Sequence, residues 1–180
     1  MSIVIATLEN DCVNIFADRR LVFENVEGTL IETAQIQKIY ELSDEMLCGM
    51  TGDASWGVAL ATKLFDYRDK SATELIQIIE TFGGSFKEHS TFILGGTYDD
   101  GELFFYGFTT ENKKGIINFN TDALIATSPI EYLNNCKKYF LDLMDNGFTY
   151  KQSAIQTIKF ASQQKPKYIS EEFDNFRIKL

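Results

Sequence analysis

A small hydroxyl residue, Ser2, stands directly behind Met1. The stretch MSIVIATLENDCVNIFADRR then runs through apolar sequence to Asp18 and Arg20. A serine hydroxyl is a weak nucleophile near neutral pH and needs a base to take its proton. Two readings are open at this point. Ser2 is an ordinary second residue, with Asp18 and Arg20 a structural pair at a strand end, or Ser2 is a nucleophile. The commonest base is not at hand: His89 is the only histidine, and a lone histidine without a second titrating partner is a weak base candidate and cannot build a metal cluster. Cys12, Cys48 and Cys136 are far apart, odd in number and lack CxxC spacing, so neither a disulfide framework nor a zinc site follows. Each sits in apolar sequence, as a small core residue does.

The elements that must position these residues belong to a chain of 180 residues, 44% of them hydrophobic. That is enough for a substantial core, and one domain over residues 1–180 is expected. With 2 prolines, no linker is visible. No stretch reaches the roughly 18 apolar residues of a membrane span. The first residues show no basic segment, apolar run and small-residue cleavage site of a signal peptide. A cytoplasmic protein with no membrane partner is therefore expected. The net charge of −9 argues against nucleic acid as a partner, because phosphates call for a basic face. Lys113–Lys114 and Lys137–Lys138 read as solvated surface pairs. No cofactor or metal is expected.

Residues 3–8 and 12–17 are apolar runs separated by a turn-type cluster, which predicts an N-terminal hairpin. Residues 21–42 continue with β character, and EMLCGMTG is a short buried strand. Residues 53–68 place Trp56, Leu60, Leu64 and Tyr67 at helical spacing. Ser71 to Glu74 is a capping box opening a second helix over 71–82, with Leu75, Ile78, Ile79 and Phe82 on one face. Residues 91–98 and 102–108 flank the turn signal DDG and predict a second hairpin. Short strands follow at 115–119 and 123–126. Ser128 as N-cap, Pro129 at the first helical position and Glu131 predict a third helix with the stripe Leu133, Cys136, Phe140, Met144. Thr149 to Gln152 opens a fourth, reaching about residue 163, and FDNFRIKL reads as a last strand. Two amphipathic helix pairs must each cover a sheet, and the two sheets must cover each other. The expected class is α+β, a four-layer αββα sandwich of two antiparallel sheets.

In these segments the chain resembles the proteasome β-subunits and the bacterial HslV-type proteases, which are N-terminal-nucleophile hydrolases. The opening hairpin resembles the family's first hairpin, with a leading nucleophile and a following Asp-x-Arg at Asp18 and Arg20. QKIY is similar to the strand that carries the family's lysine, here Lys38. LCGMTGDAS resembles the glycine-rich turn before the first helix, with Gly52 at the oxyanion position. FILGGTYDDGELFFY is similar to the central hairpin, and LIATSP stands where the family has its Gly-Ser-Gly turn, with Ser128 as the serine. The similarity covers most of the chain and weakens after about residue 145. There are departures. Serine replaces the threonine of the proteasomal proteases, and Pro129 replaces a glycine. The family's later aspartate falls in QQKPKYIS, which has none and offers only Ser170 nearby.

The resemblance implies a specific chemistry. Once Met1 is removed, the α-amine of Ser2 is the base, since an α-amine titrates near pH 7.7–8.0. Lys38 would lower that pKa and favour the developing alkoxide. Asp18 would orient Lys38, the Gly52 N–H would stabilise the oxyanion, and Ser128 would support the amine. The substrate would be a peptide or another amide. Self-association in a ring is implied, with the helix carrying Tyr132 and Phe140 as a contact; whether an ATPase partner exists is left open. Two further readings stand beside the peptidase: a non-catalytic assembly subunit or binding module, and a small-molecule amidase. Lys38 lies among apolar positions in alternation, as an inward strand residue does, and a buried lysine demands a partner such as Asp18 in every reading.

Overall fold

Alternation along the first two strands builds both faces of one sheet. β1 (Ser2–Glu9) and β2 (Cys12–Asp18) pair antiparallel, with Val4 opposite Ala17 and Ile5 opposite Phe16. Ile3, Ile5 and Phe16 point to one side, Val4, Ala6, Ile15 and Ala17 to the other, as the two-residue period of a strand requires. The computed structural model describes residues 2–9, 11–25, 27, 29–83, 89–110, 115–117, 122–128 and 130–179.

β3 (Arg20–Glu24) and β4 (Leu30–Gln35) pair only with each other. Phe23 and Ile31 stay exposed there, at 46% and 67%, so this segment forms a separate two-stranded ribbon beside the expected two sheets. β5 (Ile39–Ser43), β6 (Met46–Thr51), β7 (Thr91–Thr97), β8 (Leu103–Thr109) and β9 (Gly115–Ile117) form a five-stranded antiparallel sheet in chain order. β10 (Ala123–Ser128) and β11 (Phe173–Lys179) flank the first hairpin, giving a four-stranded sheet ordered β10-β1-β2-β11. The faces of the two large sheets meet through Val4, Ala6, Ile15, Leu47, Ile93 and Phe105.

α1 (Ala54–Asp66) and α2 (Ala72–Gly83) cover the outer face of the five-stranded sheet through Trp56, Leu60, Leu64, Leu75 and Ile79. α3 (Leu133–Asp145) and α4 (Tyr150–Gln164) cover the outer face of the four-stranded sheet through Cys136, Phe140, Ala154 and Ile158. The layers are helix, sheet, sheet, helix. Among the described residues no helix is long and apolar enough to cross a membrane.

Local signals set most helix ends. The Ser71 amide and the Glu74 carboxylate, and the Glu74 amide and the Ser71 hydroxyl, bond reciprocally at 3.1 and 3.3 Å, and Thr149 and Gln152 do the same for α4. Three expectations are corrected. The third helix starts later than expected: Ser128 is the last residue of β10, its backbone in the ladder opposite Ser2, and a 3-10 turn at Ile130–Tyr132 leads into α3 at Leu133. Whether Ser128 caps that turn rests on its side chain and on Pro129, which lie outside the described residues. Tyr67 follows the end of α1 and is 42% exposed, so it does not share the buried stripe. Phe140 is 3% exposed and faces the sheet, so it offers no surface for a partner.

Candidate active site

Antiparallel pairing decides where the polar residues meet. Ser2 begins β1, Asp18 ends β2 and Ser128 ends β10, so the backbone brings all three to one end of the four-stranded sheet. From the facing sheet, Lys38 directly precedes β5, and its carbonyl accepts from the Met50 amide at 3.1 Å. Thr51 ends β6, and Gly52 follows it.

Asp18 is fully buried and is the hub of this end. Its Oδ1 accepts from the Ile3 amide at 2.9 Å and from Lys38 Nζ at 2.8 Å. Its Oδ2 accepts from the Arg20 amide at 2.9 Å and from the Ser170 amide at 3.4 Å. Four donors hold one carboxylate, which is what a buried charge requires. Lys38 is 4% exposed. Burial pulls its pKa below the usual lysine value, Asp18 opposes that pull, and the nearby Arg20 charge adds to it.

Ser2 is 5% exposed. Its hydroxyl bonds the Thr51 hydroxyl, and Thr51 Oγ1 donates to the Ser2 carbonyl at 3.2 Å. Either hydroxyl can be the donor between the two; when the Thr51 proton points to the Ser2 carbonyl, the Ser2 hydroxyl donates to Thr51. Among the described residues Ser2 makes no bond to Lys38 or Asp18 through its side chain. Gly52 has φ +104°, a region glycine occupies freely, and a Cβ there would lie 2.5 Å from the His89 carbonyl oxygen and from Ser90 Oγ. Ser90 Oγ in turn accepts from the Asp53 amide at 2.9 Å, fixing the start of α1. Ser2, Arg20, Lys38, Thr51 and Gly52 line one cavity of about 50 Å³.

The structure thus gathers Ser2, Asp18, Lys38 and Gly52 at one site. It places the Ser128 backbone opposite Ser2; the Ser128 side chain is outside the description. Ser170 reaches the site through its amide, while its hydroxyl accepts from the Glu172 amide at 3.0 Å. Thr51 was missed by sequence reasoning. Its only signal is its place directly before Gly52, and its partner lies across the two sheets. Among the described residues no cluster of three histidines, cysteines or carboxylates is placed to hold a metal ion.

No family model matches the chain, and no curated protein matches it in sequence. Solved structures do match in shape. HslV from Trypanosoma brucei superposes with a TM-score of 0.73 at 13% identity, over 99% of both chains. Anbu, the ancestral beta-subunit, from Yersinia bercovieri gives 0.72 at 12% identity, over 98% of this chain and 81% of that one. The fold is proteasome-like. Anbu from Pseudomonas aeruginosa, solved as a helical assembly, matches with a TM-score of 0.69 at 12% identity over 98% of this chain and 81% of its own. At such identities the likeness is one of fold. In this proteasome-like sandwich the polar cluster sits where the first strands of both large sheets begin, and the chemistry rests on this chain's own residues.

Proposed function

We propose that the chain is a proteasome-type N-terminal-nucleophile hydrolase, a peptidase that works by acyl transfer to Ser2 once Met1 is removed. The observation that carries this reading is Lys38, ion-paired to buried Asp18, lining the same cavity as Ser2 and Gly52. A buried ion pair adds little to stability over an apolar pair of similar volume, so its place beside a hydroxyl calls for a chemical use. In the proposed mechanism the Ser2 α-amine takes the hydroxyl proton as Oγ attacks the substrate carbonyl. The Lys38 ammonium, held by Asp18, lowers the pKa of that amine and stabilises the forming alkoxide. The Gly52 N–H receives the oxyanion. The α-ammonium returns its proton to the leaving amine, and water then cleaves the Ser2 ester.

Peptide hydrolysis by the Met1-free chain, compared with the Met1-bearing chain, tests this. Turnover should appear only without Met1, vanish in Ser2→Ala and survive in part in Ser2→Thr. Cleavage of small amides but no peptide would point to an amidase. The fold's neighbours also support self-association, and native mass spectrometry at micromolar concentration should show an oligomer of the 20.5 kDa chain. A monomer would remove the compartment from the proposal.

A second reading, a non-catalytic assembly subunit, draws on two observations. The Ser2 hydroxyl is already engaged by Thr51, and the Ser170 hydroxyl is turned to the Glu172 amide. Absence of turnover by either form across a broad peptide library would select it.

A further inference from the structure

Arg20 is the one charged residue singled out in the opening stretch whose side chain the mechanism above leaves unused. Its backbone amide serves Asp18, but its side chain lines the cavity beside Ser2, Lys38 and Gly52. Nε of that guanidinium is buried and has no hydrogen-bond partner, and among the described residues no carboxylate pairs with the group. A buried donor left unpaired is costly, and a guanidinium is built to receive a carboxylate through two parallel bonds. The other charges at the cavity do not answer it. Asp18 is filled by four donors. Asp53, which also lines the cavity, gives Oδ1 to the Trp56 amide and the Ser55 hydroxyl at the start of α1. The cavity, about 50 Å³, is far below the roughly 300 Å³ of a site for a drug-sized ligand and suits one small polar group.

We propose that Arg20 recognises a carboxylate of the substrate, so that the site selects acidic peptides. The inference deepens the hydrolase reading and rests on it for the word substrate, but it is tested by binding alone. The carboxylate has two sources, the side chain of an aspartate or glutamate and the free C-terminus of a peptide.

The experiment uses the full chain beginning at residue 2 as Ser2→Ala, which binds without turnover, and fluorescently labelled peptides in matched pairs. One pair differs as glutamate against glutamine, the other as free C-terminal carboxylate against amide. A charge-assisted bidentate contact predicts about a tenfold preference for the acid in at least one pair. The preferred pair names the source. Arg20→Gln should abolish the preference and Arg20→Lys should keep part of it, with circular dichroism showing both variants folded. A preference under about threefold in both pairs overturns the inference without use of any variant, as does a preference that survives in folded Arg20→Gln. The two proposals fail separately. Acid preference without turnover by the Ser2 chain sinks the hydrolase reading alone, and turnover without acid preference sinks only the role of Arg20.

Discussion

The two ends of the sandwich hold charged residues in opposite ways. At the Ser2 end, Asp18 and Lys38 are buried, paired at 2.8 Å and bonded to three backbone amides besides, around a cavity of about 50 Å³. At the other end, Leu8, Glu9, Glu102, Asp122 and Tyr150 line an open recess of about 670 Å³. Among the described residues no lysine or arginine lines it, and the bond from Tyr150 Oη to Asp122 Oδ2 at 2.8 Å is exposed. The larger recess is the poorer candidate site. Water already solvates its exposed Glu102 and Asp122 carboxylates, so their charge shapes little. The small cavity holds charges that the fold had to desolvate and pair, and only there do nearby groups feel a strong field.

That contrast can be broken by removing one charge at each end. Lys38→Ala leaves Asp18 buried with its amide donors but no counter-charge, and should cost about 3–5 kcal/mol in urea unfolding. A cost under about 1 kcal/mol would place the pair in effective solvent. Lys38→Met supplies a pH test of the same pair. Since burial lowers the Lys38 pKa in the fold, the folded chain binds fewer protons there than the unfolded chain just below pH 10.5, the ordinary lysine value. Stability of the wild type relative to Lys38→Met should therefore rise with pH as it approaches that value. A fall over the same range would mean that Asp18 outweighs burial.

Gly52→Ala comes next. It forces an L side chain into φ +104° and sets a Cβ 2.5 Å from the His89 carbonyl oxygen. Strain and overlap together should cost about 2–4 kcal/mol by the same unfolding measurement. At the open end, Tyr150→Phe removes the bond to Asp122 while keeping the ring against the core, and should change stability by no more than about 0.5 kcal/mol. An effect there as large as that of Lys38→Ala would erase the distinction between the ends.

The same contrast separates what the sequence shows from what it hides. Helix starts with reciprocal caps, Ser71 with Glu74 and Thr149 with Gln152, are legible because both partners lie within one turn. The two-faced strands are legible because Ile3, Val4, Ile5 and Ala6 are all apolar, the mark of a strand buried on both sides. The pairing of Ser128 with Ser2 is hidden because the two lie far apart in the sequence, and a local cap signal says nothing of the ladder. The exposed ribbon of β3 and β4 is hidden for the same reason, since strand character does not reveal which sheet a strand joins. Of the site, Asp18 and Lys38 are legible through family resemblance and through the cost of burying a lone lysine. Thr51 was invisible, because nothing local marks a hydroxyl whose partner comes from the opposite sheet.

The central claim is that Ser2, with its own amine, is the reactive group. A peptide epoxyketone reacts stably only with a residue that offers both a hydroxyl and a free α-amine, so intact-mass measurement after exposure reads that claim directly. The chain beginning at Ser2 should gain the mass of one inhibitor, mapped to residue 2, while the Met1-bearing chain and Ser2→Ala gain none. Equal labelling of all three, or a Ser2-initiated chain that stays unlabelled, would contradict it.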